Sequence, residues 1–195
     1  MNRSASITRA TGETDVMVEV NLDGAGDSSI STGVGFFDHM LTLLARHSLI
    51  DLDVTVKGDL ETGSHHTVED TGIAIGQAIH SALGDRSGIE RYGAALVPMD
   101  ECLAEAAIDI SGRPLAVVDV DVPPGNIGGF ETDLLEEFMR SLASHGRLTL
   151  HLTLRNGGNP HHEIEVCFKA VARALRVAVS HNPRVTGIPS TKGSL

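Results

Sequence analysis

Two segments, HHTVEDTGIAIGQAIHSA (residues 65–82) and HHEIEVCFKAVARALRVA (residues 161–178), decide how this chain is organised. Laid over one another at an offset of 161 − 65 = 96, they align His65-His66 with His161-His162 and Glu69 with Glu165. Three alanines spaced by four, Ala74, Ala78 and Ala82, then fall on Ala170, Ala174 and Ala178. Self-similarity at a fixed offset is the mark of an internal repeat. Upstream, FDHMLTLLARHS (37–48) over LEEFMRSLASHG (135–146) aligns Leu44 with Leu142, Ala45 with Ala143 and His47 with His145. That match has an offset of 98, so the connection is two residues shorter in the second half.

Both halves give the same order of elements, with alternation marking strands and three-to-four spacing marking helices. In the first half the pattern predicts strands near Val16–Leu22 and Ser28–Thr32, a helix from Phe36, a strand over Leu49–Lys57 and a helix over His66–Leu83. In the second it predicts strands near Cys102–Ile110 and Leu115–Val120, a helix from Thr132, a strand over Leu148–Arg155 and a long helix over His161–Ser180. The expectation is an α+β protein made of a duplicated α/β unit, residues 1–93 and 94–195, divided near Gly93. Each half has a sheet whose apolar face needs covering, so two mixed, mainly antiparallel sheets with the helices packed between them is the simplest arrangement. PPGNIGG (123–129) reads as a mobile surface loop within the second half.

With 41% hydrophobic residues over 195 positions, the chain can build a core without staples. No apolar run is long enough to span a membrane, and MNRSASITRA lacks the apolar centre of a secretory signal. Cys102 and Cys167 stand far apart, which fits a reducing compartment, and a cytoplasmic, untargeted protein is expected. The net charge of −11 argues against nucleic acid as a partner. From Arg140 onward, however, eight cations (Arg140, Arg147, Arg155, Lys169, Arg173, Arg176, Arg184, Lys192) face only Glu163 and Glu165. A basic end on an acidic protein suits a small anion such as a phosphate ester.

Residues four apart share a helix face, so His65 with Glu69, and His161 with Glu165, can each chelate one ion. His66 and His162 lie about 100° around the helix from their neighbours and must serve elsewhere. Used twice about a pseudo-two-fold axis, the motif can give a chelating pair to one metal and the odd histidine to another, hence two metal sites. Imidazole and carboxylate without thiolate suit Mn²⁺, Fe²⁺ or Zn²⁺ and not a structural cysteine-type zinc site. A single His-His pair could merely decorate a helix start; duplication with the glutamate kept argues against that. His39 in GFFDHML is a third candidate ligand, with Glu137 at the matching position of the repeat. His47 and His145 align as well, but at helix ends, where histidine satisfies terminal carbonyls.

GFFDHML, SHHTVEDTGIAIG, RYG, PMDE, SGRP, HHEIEVCFKAVARALR and PSTKG, in this order from about Arg9 to Leu195, resemble imidazoleglycerol-phosphate dehydratase. The resemblance implies a fold like that of ribosomal protein S5 domain 2 and a dehydration in histidine biosynthesis. The implied reaction takes D-erythro-1-(imidazol-4-yl)glycerol 3-phosphate to 3-(imidazol-4-yl)-2-oxopropyl phosphate and water. Two Mn²⁺ per active site are implied, with His39, His65, His66, Glu69, His161, His162 and Glu165 as ligands. Arg91 in RYG, Arg113 in SGRP, and Ser190 and Lys192 in PSTKG match phosphate-binding positions, with Lys169 nearby. Some members of the family carry histidine where this chain has Glu137, which leaves Glu137, water or substrate open as one metal's fourth ligand. The resemblance also implies sites formed between subunits, in a homo-oligomer of 24 chains built from trimers.

Such a dehydration has no carbonyl beside the C–H bond to stabilise a carbanion, so the imidazole ring must supply the electronics. A carboxylate base must then take the remaining proton. Glu165 is the candidate base, and Glu13, matching an acid of the family near the N-terminus, the candidate for handling the departing hydroxyl. The rival enzyme is a dinuclear metallohydrolase of a small phosphate ester, although the Asp-rich ligand sets expected there are missing. A metal-storage protein would have no need of Arg113 or Lys192.

Overall fold

The computed structural model describes residues 3–195. Its first sheet contains β1 (Ser4–Ala10), β2 (Thr14–Asn21), β3 (Ser28–Ser31) and β4 (Asp51–Gly58) in the order β1-β2-β4-β3. Its second contains β5 (Tyr92–Met99), β6 (Cys102–Asp109), β7 (Leu115–Asp119) and β10 (Thr149–Asn156) in the order β5-β6-β10-β7. The two orders are the same order, strand for strand. Each sheet has two antiparallel pairs and one parallel pair, β3 with β4 and β7 with β10, so both are mixed. Helices α1 (Gly35–Ser48) and α2 (His65–Leu83) cover the first sheet, and α3 (Leu134–Gly146) and α4 (Pro160–Val179) the second. The helices meet across the middle, α2 on α3 and α1 on α4, which gives the duplicated α+β architecture with helices between two outer sheets.

Alternation sets the inner faces. Val16, Val18 and Val20 of β2 are buried opposite Val56, Val54 and Leu52 of β4. Ala104, Ala106 and Ile108 of β6 are buried opposite Leu154 (half-buried), Leu152 and Leu150 of β10. All five phenylalanines join in one chain of rings that stitches the halves together. Phe36 and Phe37 each lie 5.8 Å from Phe130, Phe37 lies 5.5 Å from Phe138, and Phe138 lies 5.1 Å from Phe168. Ring pairs of this kind contribute about 0.5–1.5 kcal/mol each beyond their burial.

Three features depart from the sequence expectation. The strands that open each sheet, β1 and β5, carry little periodic signal. SASITRA offers only Ala5 and Ile7 as inward apolar side chains, and YGAALVPM contains a glycine and a proline, which weigh against a strand. Both features are tolerated because β5 is an edge strand and because Gly93 is needed: a Cβ there would lie 2.0 Å from the Ala174 carbonyl of α4. Gly93, near which the sequence reading divides the halves, is the second residue of β5, so the second sheet begins at Tyr92. PPGNIGG lies on the surface as expected, but its Asn126–Ile127 form β8, paired in a small antiparallel hairpin with β9 (Phe130–Glu131) just beyond it, whose Phe130 is fully buried.

Candidate metal and phosphate sites

The start of α4 is fixed by its own residues. The Asn159 side chain accepts from the His161 N–H at 2.9 Å, and Pro160 opens the helix with the φ it prefers. His161 and Glu165 therefore stand one turn apart, Nε2 to Oε2 3.2 Å. His39, on α1, brings its Nε2 to 3.6 Å from the same Glu165 oxygen. Donor atoms of His39, His161 and Glu165 all lie within 4.8 Å of one another. Phe36 meets the His161 ring edge-on at 4.9 Å, which holds the imidazole in place. The other Glu165 oxygen accepts from Lys169 Nζ at 2.7 Å. Burial pushes the Glu165 carboxyl up, but Lys169, His39 and His161 together outweigh it and hold the group below its ordinary value, so it is ionised at neutral pH.

The start of α2 repeats part of this. His65 Nε2 lies 3.6 Å from Glu69 Oε2, and the His65 and His66 rings stand perpendicular, as the helical spacing requires. Among the described residues, no third His, Cys, Asp or Glu closes on that pair as His39 closes on the other. Glu137, at the matching position of α3, is half-buried. His66 faces two carboxylates: Nδ1 lies 3.1 Å from Asp59 and Nε2 lies 3.6 Å from Glu13. Asp59 raises the His66 pKa by its hydrogen bond. His162 Nδ1 is 3.2 Å from both oxygens of Glu101, with Asp100 at 3.9 Å. The Glu101 carboxyl is drawn down to about 2 by N–H donors of its own backbone and Asn159, then by His162.

Glu13 sits at the β1–β2 turn, its N–H donating to Thr11 Oγ1 and its carbonyl accepting from the Asp59 N–H. This hairpin is clamped onto α2 by buried Asp70, which accepts from Arg9 Nη2 at 2.8 Å and from the Thr14 hydroxyl. Asp59, Asp100 and Glu101 were not singled out from the sequence. PMDE contains two of them, but only the hairpin geometry turns them toward a histidine.

The phosphate candidates fall into two places. Arg91 donates to Asp109 at 2.8 Å and to the Pro189 carbonyl at 2.9 Å, and stacks on Tyr92. Arg113 is exposed, 3.7 Å from the same Asp109. The PSTKG segment turns over Arg91, Ser190 Oγ accepting the Lys192 N–H, and reaches Gly112, whose Cβ would meet the Leu195 backbone. Arg91, Arg113, Ser190 and Lys192 thus belong to one end of the molecule. Lys169 does not join them; it is paired with Glu165. The Arg91 N–H donates to the Ala178 carbonyl, thirteen residues along α4 from Glu165, or about 20 Å at 1.5 Å per residue.

Fold and side-chain clusters together define an internally duplicated α+β protein with histidine–carboxylate groups at the starts of two equivalent helices. The family model described as imidazoleglycerol-phosphate dehydratase matches residues 32–175. A protein of that name from Roseobacter denitrificans is 59% identical over 99% of this chain and 100% of its own length. One from Dinoroseobacter shibae is 58% identical over the same shares. The crystal structure of the Staphylococcus aureus enzyme superposes with a TM-score of 0.83 at 40% identity, covering 92% of this chain and 99% of that one. The chain belongs to the imidazoleglycerol-phosphate dehydratase family, hydro-lyases of histidine biosynthesis. None of its described helices is long and apolar enough to cross a membrane.

Proposed function

We propose that this protein dehydrates D-erythro-1-(imidazol-4-yl)glycerol 3-phosphate to 3-(imidazol-4-yl)-2-oxopropyl phosphate and water, using two Mn²⁺ per active site. Supporting this most directly is the convergence of His39, His161 and Glu165, with Lys169 behind them, on a chain of this family. The donor set fits the metal: nitrogen and carboxylate oxygen within 4.8 Å, while Cys102 and Cys167 are buried in the core. His39, His65, His66, Glu69, His161, His162 and Glu165 would hold the two ions. When bound, such ions act as Lewis acids and favour the anionic form of an imidazole.

The chain's own groups handle protons and orientation. Glu165, ionised beside Lys169, is the base that accepts the C–H proton at Oε2 or Oε1. Glu13, exposed at its turn and 3.6 Å from His66 Nε2, handles the departing hydroxyl or the water it becomes. Arg91 and Arg113, with Ser190 and Lys192, bind the phosphate, the arginines by paired donors.

Three carbons between an imidazole and a phosphate extend on the order of 10 Å at about 1.5 Å per bond. The backbones of Glu165 and of Ala178, which meets the Arg91 N–H, stand about 20 Å apart along α4, about twice that length. This supports active sites assembled between subunits, in a 24-chain particle built from trimers. Assaying the Mn²⁺-loaded protein with imidazoleglycerol phosphate is the test: ketone should form without release of inorganic phosphate, whereas phosphate release would point to a hydrolase. Glu13→Gln should lower turnover with metal content intact; normal turnover would remove Glu13 from the mechanism.

A further inference from the structure

Both second histidines of the doubled motif are gripped at Nδ1 by a carboxylate, but from places that do not correspond. Asp59 lies 3.2 and 3.1 Å from His66 Nδ1 through its two oxygens; Glu101 lies 3.2 Å from His162 Nδ1 through both of its own. Asp59 follows β4 directly. Glu101 instead sits in the β5–β6 turn, one residue before β6, as Glu13 sits one residue before β2.

Packing shows what replaces Asp59 in the second repeat. A Cβ at Gly58 would lie 2.0 Å from Thr67 Oγ1, and a Cβ at Gly157 would lie 2.3 Å from Glu163 Oε1. Thr67 and Glu163 are the same helix position at the offset of 96, so Gly58 and Gly157 correspond, and one residue on, Asp59 corresponds to Gly158. The register of β10 against β6 shifts between Leu154 and Asn156, which supplies the extra residue. At Gly158 a Cβ would lie 2.6 Å from Glu101 Cγ and 3.1 Å from its Oε1. The Glu101 carboxylate therefore fills the space that the Asp59 side chain fills in the first repeat, and the bare glycine lets it in.

We propose that Asp59 and Glu101 are the positioning residues of the two motifs. Each accepts the Nδ1–H of its histidine, fixing the tautomer whose Nε2 lone pair is free for a metal ion, a carboxylate–histidine–metal arrangement. The same substitution sets the functional asymmetry of the duplication. Because Asp59 braces His66, Glu13 faces Nε2 and stays free for the substrate; its counterpart Glu101 is consumed as a brace. This rests on the two-metal reading above.

The test is Mn²⁺ binding by the chelator-stripped, full-length protein, titrated against a fluorescent chelator. Glu101→Ala and Asp59→Ala should each weaken Mn²⁺ binding about 10- to 100-fold, the usual effect of losing such a partner. Melting temperatures in excess chelator should match the wild type. Glu101→Gln, whose amide oxygen still accepts a hydrogen bond, should lose less. The double variant Glu101→Ala, Gly158→Asp rebuilds the first repeat's brace in the second and should recover most of the affinity. Wild-type affinity in both alanine variants would overturn the proposal. Equal losses in the Gln and Ala variants without rescue by Gly158→Asp would also overturn it, since Glu101 would then be a ligand. Failure of the two-metal reading would show in the wild type itself, as no Mn²⁺ uptake. Should Glu101→Ala not fold, Asp59→Ala and Glu101→Gln carry the same prediction.

Discussion

Consider a particle built from equal amounts of two subunits, one carrying Glu165→Gln and the other Arg113→Ala, co-expressed with different tags and purified through both. Glu165 belongs to the start of α4, whereas Arg113 shares Asp109 with Arg91, whose N–H meets Ala178 roughly 20 Å along α4 from Glu165. The proposed substrate is about half that long, and the proposed site accordingly takes its metal end from one subunit and its arginine end from another. In a random mixture a site receives an intact metal end half the time and an intact arginine end half the time. A closed homo-oligomer should therefore show about 25% of wild-type turnover, although each parent is nearly inactive. Turnover would be followed as ketone formed per mole of Mn²⁺-loaded subunit. Activity no greater than the mean of the parents would refute the inter-subunit site and would require the two ends to meet within one chain.

Other outcomes follow from the same geometry. If metal ions join ligands of different chains, chelator should shrink the particle on size-exclusion chromatography and Mn²⁺ should restore it; an unchanged elution volume would contradict shared ligation. Phe138→Ala removes the ring that links Phe37 to Phe168, and should cost about 3–5 kcal/mol in chemical denaturation, with loss of much less showing that the ring chain does not hold the halves together. At Asp51, burial pushes the carboxyl up, but N–H donors from Ala25, Asp27 and Gly26 and the Asn21 amide hold it below its ordinary value. A depressed native pKa stabilises above the unfolded value of about 4 and is lost as pH falls through the native one. Asp51→Ala should thus melt below wild type at neutral pH, and the difference should narrow in acid beneath pH 4; a gap that stays constant would mean the carboxylate's charge is irrelevant there.

Much of this was legible in the sequence because it rests on local periodicity. The doubled His-His-x-x-Glu needs only 3.6 residues per turn to bring His65 to Glu69 and His161 to Glu165, and the structure has both pairs at 3.2–3.6 Å. The matching alanines and the β-α-β order likewise report a duplication without any knowledge of contacts. What escaped was what no local pattern encodes. Strand β5 is disguised by Gly93 and Pro98, residues tolerated only because α4 passes close by and because the strand lies at an edge. Lys169 looked like one more cation of a basic end, yet its position on α4 ties it to Glu165 rather than to Arg91.

The amino-acid sequence by itself determined the repeat, the fold class and the His–Glu pairs one helical turn apart, since each depends on spacing along one helix or one strand. Only the tertiary structure decided which partners complete them. His39 reaches Glu165 because α1 packs on α4, Asp59 reaches His66 from the end of β4 and Glu101 reaches His162 from the β5–β6 turn, and Arg91 stands a helix length away from the histidines. Those outcomes depend on distances between segments far apart in the chain, set by packing of the whole core, and a single strand of letters carries no measure of them.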